Sequence, residues 1–90
     1  MNIMDKEFIV NFITRTINSG NADLDEVYKV FIIYCCEEHN KDINLTKNFI
    51  NILMQVGLLS TYLEEIIDYY KVKYNLIEIK NKDNKTILIY

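Results

Sequence analysis

Ninety residues, half of them apolar and about a quarter charged, are enough for one small domain with a hydrophobic core. This composition argues against a disordered chain, and no apolar run approaches the ~20 residues of a membrane-spanning helix. The formal charge of −3 is unevenly distributed: residues 1–68 carry eleven acidic and five basic side chains, and residues 69–90 carry two acidic and five basic ones. We therefore expect an acidic protein without membrane contact and with a basic C-terminal end.

The location of the protein is suggested by its cysteines and its first residues. Cys35 and Cys36 are adjacent, where a disulfide between them would be strained. Residues 1–19 are interrupted by charged side chains and do not resemble a secretory leader. These features predict an intracellular location, in the cytoplasm of the source or host cell. Fifteen Ile, eleven Asn and no Pro indicate A/T-rich codons, which predicts a source among A/T-rich bacteria, phages, large DNA viruses or protists.

Apolar residues recur at helical spacing up to about Tyr74. This spacing predicts four helices, at about residues 5–19, 23–39, 45–56 and 61–74. Gly20 and Gly57 supply left-handed positions after the first and third helices, and Asn40 can end the second. Asp23, with Glu26 three residues later, forms a capping-box pattern. Ser60 or Thr61 would cap the fourth helix.

Each predicted helix has an apolar stripe that should face a common core. The stripe residues are Phe8, Ile9, Phe12, Ile13, Ile17; Leu24, Val27, Tyr28, Phe31, Ile32, Cys35; Leu45, Phe49, Ile50, Leu53, Met54; and Leu63, Ile66, Ile67, Tyr70. Val30, Ile33, Ile52 and Val56 lie partly off these stripes. They predict apolar surface in excess of what the core needs.

The C-terminal segment changes to β-type sequence. Residues 76–80 (LIEIK) and 86–90 (TILIY) are two short apolar runs joined by residues 81–84, which predicts a β-hairpin at about residues 76–90. A four-residue loop would place Ile77 and Ile79 on the same face as Thr86 and Leu88. A two-stranded ribbon is not stable alone in water, so this face should cover the helices.

Helices followed by a basic hairpin have the outline of a winged helix. Residues 1–90 are therefore predicted to form a single α+β domain, four helices plus a C-terminal β-hairpin, winged-helix-like. The third helix would present a polar face to DNA, since Asn and Gln can pair with adenine and Lys can neutralise phosphate. The candidate nucleic-acid-binding residues are Thr46, Lys47, Asn48, Asn51, Gln55, Lys80, Lys82 and Lys85.

Two observations favour a different interpretation of the same residues. Most DNA-binding domains are basic overall, whereas this chain is acidic. An Asn-rich helix face can simply be solvated, and lysines often protect an exposed strand edge. Both interpretations remain open at this stage.

A family resemblance is carried by residues 25–35 (DEVYKVFIIYC) and 41–49 (KDINLTKNF), followed by Leu53 and Gly57. The pattern resembles the carboxy-terminal winged-helix domain of phage and poxvirus-type primase-helicases. The regulatory-factor-X winged helix has a similar spacing of residues. In that family a helix with a YC or WC pair precedes a helix that begins Leu-Ser/Thr-Lys-x-Phe and ends Leu-x-x-x-Gly.

The resemblance implies a nucleic-acid-binding module linked to replication or transcription. It assigns the contacts to Lys47, to the loop before Asn44 and to a basic wing with Lys80, Lys82 and Lys85. The chain departs from the pattern where Asn44 replaces a proline and where an acidic helix precedes the wing. The ATPase and primase domains are missing, so the resemblance transfers no enzymatic activity.

An alternative function is a protein–protein interaction module that does not bind nucleic acid. Seven tyrosines are many for ninety residues, and tyrosine is enriched at interfaces. Tyr62, Tyr69 and Tyr70 lie along the fourth helix and are the candidate interface residues. They predict either a homodimer or docking to a partner protein.

No catalytic, metal or cofactor site is predicted. Cys35 and His39 lie four residues apart and could supply two metal ligands, but a structural zinc site needs four. The single histidine leaves no Ser-His-Asp arrangement, and the two glycines leave no phosphate-binding loop. We therefore expect a protein that is not an enzyme and binds no cofactor.

Overall fold

The computed structural model describes residues 3–90 and contains four α-helices and a C-terminal β-hairpin, which confirms the predicted α+β fold. One π-helical segment follows the second helix. The elements in chain order are α1 (Ile3–Ser19), α2 (Leu24–Ile32), the π-helix (Ile33–Glu38), α3 (Ile43–Gln55), α4 (Leu59–Lys73), β1 (Ile77–Lys80) and β2 (Thr86–Ile89).

The chain groups into two compact units, which we describe separately. The helical unit is Asp23–Ile66. The hairpin unit consists of the described part of residues 1–22 together with Ile67–Tyr90. That these ninety residues form a single winged-helix-like domain, with the hairpin beside α3, stays a prediction.

The hairpin unit is organised by α1 and β2, which pack together. The side chains of Ile9, Phe12 and Ile13 on α1 are buried, as predicted, and so are Leu88 on β2 and Tyr70. The aliphatic spacing along α1 therefore supplies the helical side of this core.

A side-chain amide holds β2 in place on α1. The Asn18 amide nitrogen donates to the Thr86 carbonyl at 3.1 Å, and the Thr86 N–H donates to the Asn18 amide oxygen at 2.8 Å. At the other end of the strand, the Lys6 ammonium lies 4.8 Å from the centre of the Tyr90 ring. The chain direction of β2 is therefore opposite to that of α1.

The register of the hairpin differs from the prediction. Ile77 pairs with Ile89 and Ile79 with Ile87, because five residues rather than four connect the strands. Directly paired residues share a face, and a shift of one residue exchanges the faces of a strand. The prediction that Ile77 and Ile79 share the face of Thr86 and Leu88 is therefore wrong.

The loop explains this register. The Asn81 N–H donates to the Lys85 carbonyl at 2.9 Å, and the Asn81 side-chain oxygen accepts from the N–H groups of Asp83 and Lys85, each at 3.0 Å. Asn84 has a φ of 62°, a left-handed conformation that Asn tolerates better than most residues. An Asx-stabilised five-residue loop results.

In the helical unit, α2 and α3 pack against each other, and the π-helix also packs on α3. Asp23 caps α2 as predicted, since its carboxylate accepts from the N–H groups of Asp25 and Glu26. Asp42 caps α3 in the same way, accepting from Asn44 and Leu45, so α3 begins at Ile43, two residues before the predicted start. The predicted start was late because it was taken from the spacing of apolar residues, and the capping residue Asp42 is not part of that spacing.

The single helix predicted over residues 23–39 is α-helical only to Ile32, and residues 33–38 are π-helical. This segment ends as expected with a left-handed residue, Asn40, at a φ of 54°, and the Lys41 N–H reaches back to the Cys35 carbonyl at 2.9 Å. Val30 and Ile33, predicted to lie off the core stripe, are buried. α2 and the π-helix together thus bury side chains over a wider part of their surface than the single apolar stripe predicted for this segment.

Other boundaries and burial predictions also need correction. α1 begins at Ile3 and α4 at Leu59, so Ser60 lies inside the first turn of α4 instead of capping it. Three residues assigned to buried stripes are exposed: Leu24, Leu45 and Met54. Among the described residues, no helix combines the length and apolar character needed to cross a membrane.

Candidate functional site

The polar face predicted for α3 is present except at its first residue. Lys47, Asn48, Asn51 and Gln55 are exposed. Thr46 is only 2% exposed, and its hydroxyl donates to the Asp42 carbonyl at 3.0 Å. The prediction that Thr46 lies on the outward face is therefore wrong: it is in the first turn of α3 on the side that faces the π-helix, 3.8 Å from the Cys36 sulfur.

Asn51 is engaged within the helical unit. Its side-chain oxygen accepts a hydrogen bond from the Tyr28 hydroxyl at 3.2 Å, and the same hydroxyl lies 3.6 Å from the Met54 sulfur. A contact between Asn51 and an adenine edge would have to compete with this hydrogen bond.

The lysines predicted to form the wing, Lys80, Lys82 and Lys85, are exposed at the end of β1 and in the hairpin loop. They belong to the hairpin unit, whereas the polar face of α3 belongs to the helical unit. That both groups contact one nucleic acid stays a prediction.

The three candidate interface tyrosines have different environments. Tyr70 is 0% exposed, so its assignment to an interface is wrong: the ring is enclosed, with Tyr69 edge-on at 5.1 Å and Tyr74 stacked at 5.4 Å. Tyr69 is half-buried and has the Lys73 ammonium 5.9 Å from its ring centre. Tyr62, also half-buried, lies in the helical unit.

A row of exposed apolar side chains runs along α3 in the helical unit. Leu45, Ile52 and Val56 are 63%, 55% and 59% exposed, and the half-buried Phe49 lies between them in sequence. Steps of four, three and four residues place these four side chains on one side of a helix. We call this row the α3 ridge.

The α3 ridge continues into a pocket of about 410 Å³. Leu45 and Phe49 belong to both. Its walls are mainly aromatic, and Lys41, His39 and Thr46 supply its polar groups; the full lining is Tyr34, Cys35, His39, Lys41, Leu45, Thr46, Phe49 and Tyr62. A pocket of this volume and character is of the kind that takes a ligand or a partner side chain.

Aromatic contacts fix the walls of the pocket. The Tyr62 ring stacks on Phe31 with a centroid distance of 5.7 Å and meets Phe49 edge-on at 5.0 Å. Tyr34 and His39, which also line the pocket, meet edge-on at 4.6 Å. Tyr34 lies in the π-helix and His39 directly follows it; the wider π-helical turn brings residues five apart to the same side, and such turns often occur at functional sites.

Three side chains that line the pocket have a raised pKa. Burial raises the pKa of the Tyr34 hydroxyl, and the negative charges of Cys35, Glu65 and Glu38 add to this effect. Burial likewise raises the pKa of Tyr62 and of the Cys35 thiol, the latter helped by the neighbouring Cys36. A thiol with a raised pKa is a poor nucleophile at neutral pH.

Within residues 3–90, no three His, Cys, Asp or Glu side chains come together in a way that could hold a metal ion. The pocket offers apolar contact, the exposed Lys41 ammonium, the His39 imidazole, hydroxyl groups and the Cys35 thiol.

The α3 ridge was predicted only in part. Ile52 and Val56 were predicted to lie partly off the core stripe, but Leu45 and Phe49 were assigned to the core. The spacing of these four residues was visible in the sequence. The sequence did not show which side of α3 is covered by other elements. It also did not show the π-helical segment, which contains Tyr34 and precedes Lys41.

Comparison of the chain with protein-family models, curated proteins and solved structures finds no match in any of the three.

Proposed function

We propose that this protein is a non-enzymatic protein-interaction module that docks a partner protein on the α3 ridge and its pocket. The observation that carries the proposal is the row of Leu45, Ile52 and Val56, three aliphatic residues each more than half exposed on one side of one helix. Contiguous exposed apolar surface next to a well-formed pocket is typical of docking sites.

The charge of the helical unit specifies the chemistry of the partner. Asp23–Ile66 contains eight acidic and three basic side chains, a formal charge of −5. A partner segment with aliphatic or aromatic anchors and flanking Lys or Arg side chains would match both the ridge and its surroundings. An amphipathic helix with anchors at helical spacing is the simplest such segment, because it can lie along α3.

The proposal is tested by titrating the protein with two synthetic amphipathic helical peptides. Both peptides carry the same Leu and Trp anchors at helical spacing, one with Lys and the other with Glu on the flanks. We expect the Lys peptide to bind, as followed by its Trp fluorescence, and the Glu peptide to bind at least about tenfold more weakly. Equal affinity for both, or no binding, would contradict the proposed partner.

Two substitutions on α3 locate the binding surface. Ile52→Asp places a charge in the ridge and should abolish binding. Asn48→Asp, on the polar face of the same helix, is the matched control with the same added charge and should bind like the wild type. If both variants bind equally well, the partner does not lie on the α3 ridge.

A second candidate function, binding of nucleic acid, is supported by the exposed lysines of the hairpin. The hairpin unit has seven basic and five acidic side chains, and Lys80, Lys82 and Lys85 lie close together in sequence at one end of the ribbon. Such lysines would give salt-sensitive, sequence-independent attraction to phosphates. The link to replication or transcription, and to the primase-helicase family, remains a proposal on the resemblance alone.

Replacing Lys80, Lys82 and Lys85 by Glu tests this candidate. If the hairpin binds DNA, a fluorescently labelled duplex should bind at low salt and the triple variant should not, with its circular dichroism unchanged. Absence of duplex and single-strand binding by the wild type would remove this function.

A further inference from the structure

The outer face of the hairpin consists of four isoleucine side chains. Ile77 and Ile89 form one cross-strand pair and Ile79 and Ile87 the next, and each residue is between 42% and 61% exposed. The opposite face carries Thr86 and Leu88, which are buried, and the charged side chains of β1. We call the four side chains the isoleucine face.

The isoleucine face has no charged or polar side chain within it. Glu78 and Lys80 alternate with the isoleucines of β1 and project to the other side, where Glu78 pairs with Lys71 at 2.6 Å. Antiparallel sheets in monomeric proteins usually expose polar residues on their solvent side. The pattern here is that of a sheet covered on both faces.

The shape and size of the isoleucine face select its occupant. Four half-exposed isoleucines on two paired strands make an apolar patch on the order of 400 Å², the size of the largest apolar patch on a typical monomer, which is often functional. The apolar face of one sheet packs on that of another at about 10 Å. A second copy of the chain supplies such a face with the same spacing, and a two-fold axis makes the contact self-complementary.

Charges at the hairpin loop determine the orientation. Residues 80–85 carry three lysines and one aspartate. Two hairpins packed with their loops side by side would bring these positive ends together. A two-fold axis perpendicular to the strands places the loops at opposite ends of the contact and avoids this repulsion.

We propose that the protein forms a weak two-fold homodimer in which the isoleucine faces of two hairpins pack on each other with their loops at opposite ends. The patch is about half of the ~800 Å² that a standard interface buries on each partner, which places the contact among weak, transient interfaces. This surface lies in the hairpin unit and is independent of the α3 ridge.

Sedimentation velocity of the wild type from low micromolar to near-millimolar concentration tests the proposal. We expect a monomer–dimer equilibrium without larger species. Ile79→Lys places a charge in the isoleucine face and should raise the dimer Kd at least about tenfold. Because Ile79 is exposed, the variant should keep the wild-type circular dichroism spectrum and denaturation midpoint.

Ile52→Lys is the matched control, since it makes the same change at an exposed isoleucine of the α3 ridge. It should leave the dimer Kd unchanged. A second measurement needs no variant: in a mixture of differently isotope-labelled chains, intermolecular nuclear Overhauser effects should connect isoleucine methyl groups of residues 77, 79, 87 and 89.

Three results would overturn the proposal. The first is a wild type that stays monomeric at the highest soluble concentration. The second is a dimer that Ile79→Lys leaves intact, or that Ile52→Lys abolishes. The third is growth into larger assemblies, because the proposed two-fold contact is closed.

Discussion

The two compact units of this protein differ in charge and in the element that carries their exposed apolar surface. The helical unit has a formal charge of −5, and the hairpin unit, with seven basic and five acidic side chains, has a charge of +2. The helical unit exposes aliphatic residues along one side of α3. The hairpin unit exposes them on one face of a two-stranded ribbon.

This difference follows from the two backbone periodicities. On α3 the exposed apolar residues recur every three or four positions, beside a buried stripe that already uses Ile50 and Leu53. On the ribbon they recur every second position, opposite a face that buries Thr86 and Leu88. In both units the apolar residues exceed what the core accommodates, and backbone geometry gathers the excess into one patch.

The largest expected effect tests whether the cores of the two units are comparable. Phe31→Ala removes a fully buried ring that stacks on Tyr62 in the helical unit, and should lower the free energy of unfolding by about 3–5 kcal/mol. Phe12→Ala, at a ring equally buried in the hairpin unit, should cost a similar amount. Urea denaturation followed by circular dichroism measures both, and a loss below about 1 kcal/mol for either would contradict its burial.

A smaller effect is expected at the contact that orders the hairpin unit. Asn18→Ala leaves the buried N–H and carbonyl of Thr86 without their side-chain partner and should cost about 1–3 kcal/mol. The control, Asn11→Ala, makes the same change at an exposed position of α1. If the two variants have equal denaturation midpoints, the Asn18 amide does not hold β2.

The cap of α3 should contribute less. Asp42→Ala removes the carboxylate that accepts from two N–H groups at the start of α3, and should lower the free energy of unfolding by about 1 kcal/mol. Asp42→Asn removes the charge but keeps a capping oxygen, so its stability should stay close to that of the wild type. If Asp42→Asn lowers the free energy of unfolding as much as Asp42→Ala, the stabilisation comes from the charge of Asp42 rather than from its capping hydrogen bonds.

The smallest effect on stability concerns one buried and two half-buried groups of the pocket. Desolvation raises the pKa of Cys35, Tyr34 and Tyr62 above their unfolded values, so their stabilising contribution is present below the unfolded pKa values and is lost as the pH rises through the folded ones. The denaturation midpoint should therefore fall as the pH rises above about 8, and fall less in Tyr34→Phe. An identical decrease in that variant would exclude a contribution from Tyr34.

The same environment predicts unequal reactivity of the two neighbouring thiols. Cys35 is buried and Cys36 is half-buried, so iodoacetamide at neutral pH should modify Cys36 first. Cys36→Ser should leave a protein that reacts slowly until it is unfolded. Mass spectrometry of the modified peptide measures this, and rapid modification of Cys35 in the folded protein would contradict its burial.

Local rules applied to the sequence worked where the outcome depends on neighbouring residues. The four helices and the hairpin, the Asp23 cap and the left-handed conformations of Gly20, Asn40 and Gly57 were all predicted correctly. Predictions that depend on which side of an element is covered were less reliable. Thr46 was assigned to an exposed face and is buried, whereas Leu45 and Met54 were assigned to the core and are exposed. Tyr70 was assigned both to the core stripe and to an interface, and its burial agrees with the first assignment.

The sequence by itself determined the order and type of the elements and the separation of charge along the chain, because spacing, caps and turn residues act within a few positions. Only the tertiary structure decided the strand register, the π-helical segment, and the positions of the α3 ridge and the isoleucine face. A single additional loop residue exchanges the two faces of a strand, and a π-helical turn changes which residues align. Such one-residue differences are settled by packing across the fold, and apolar periodicity alone does not resolve them.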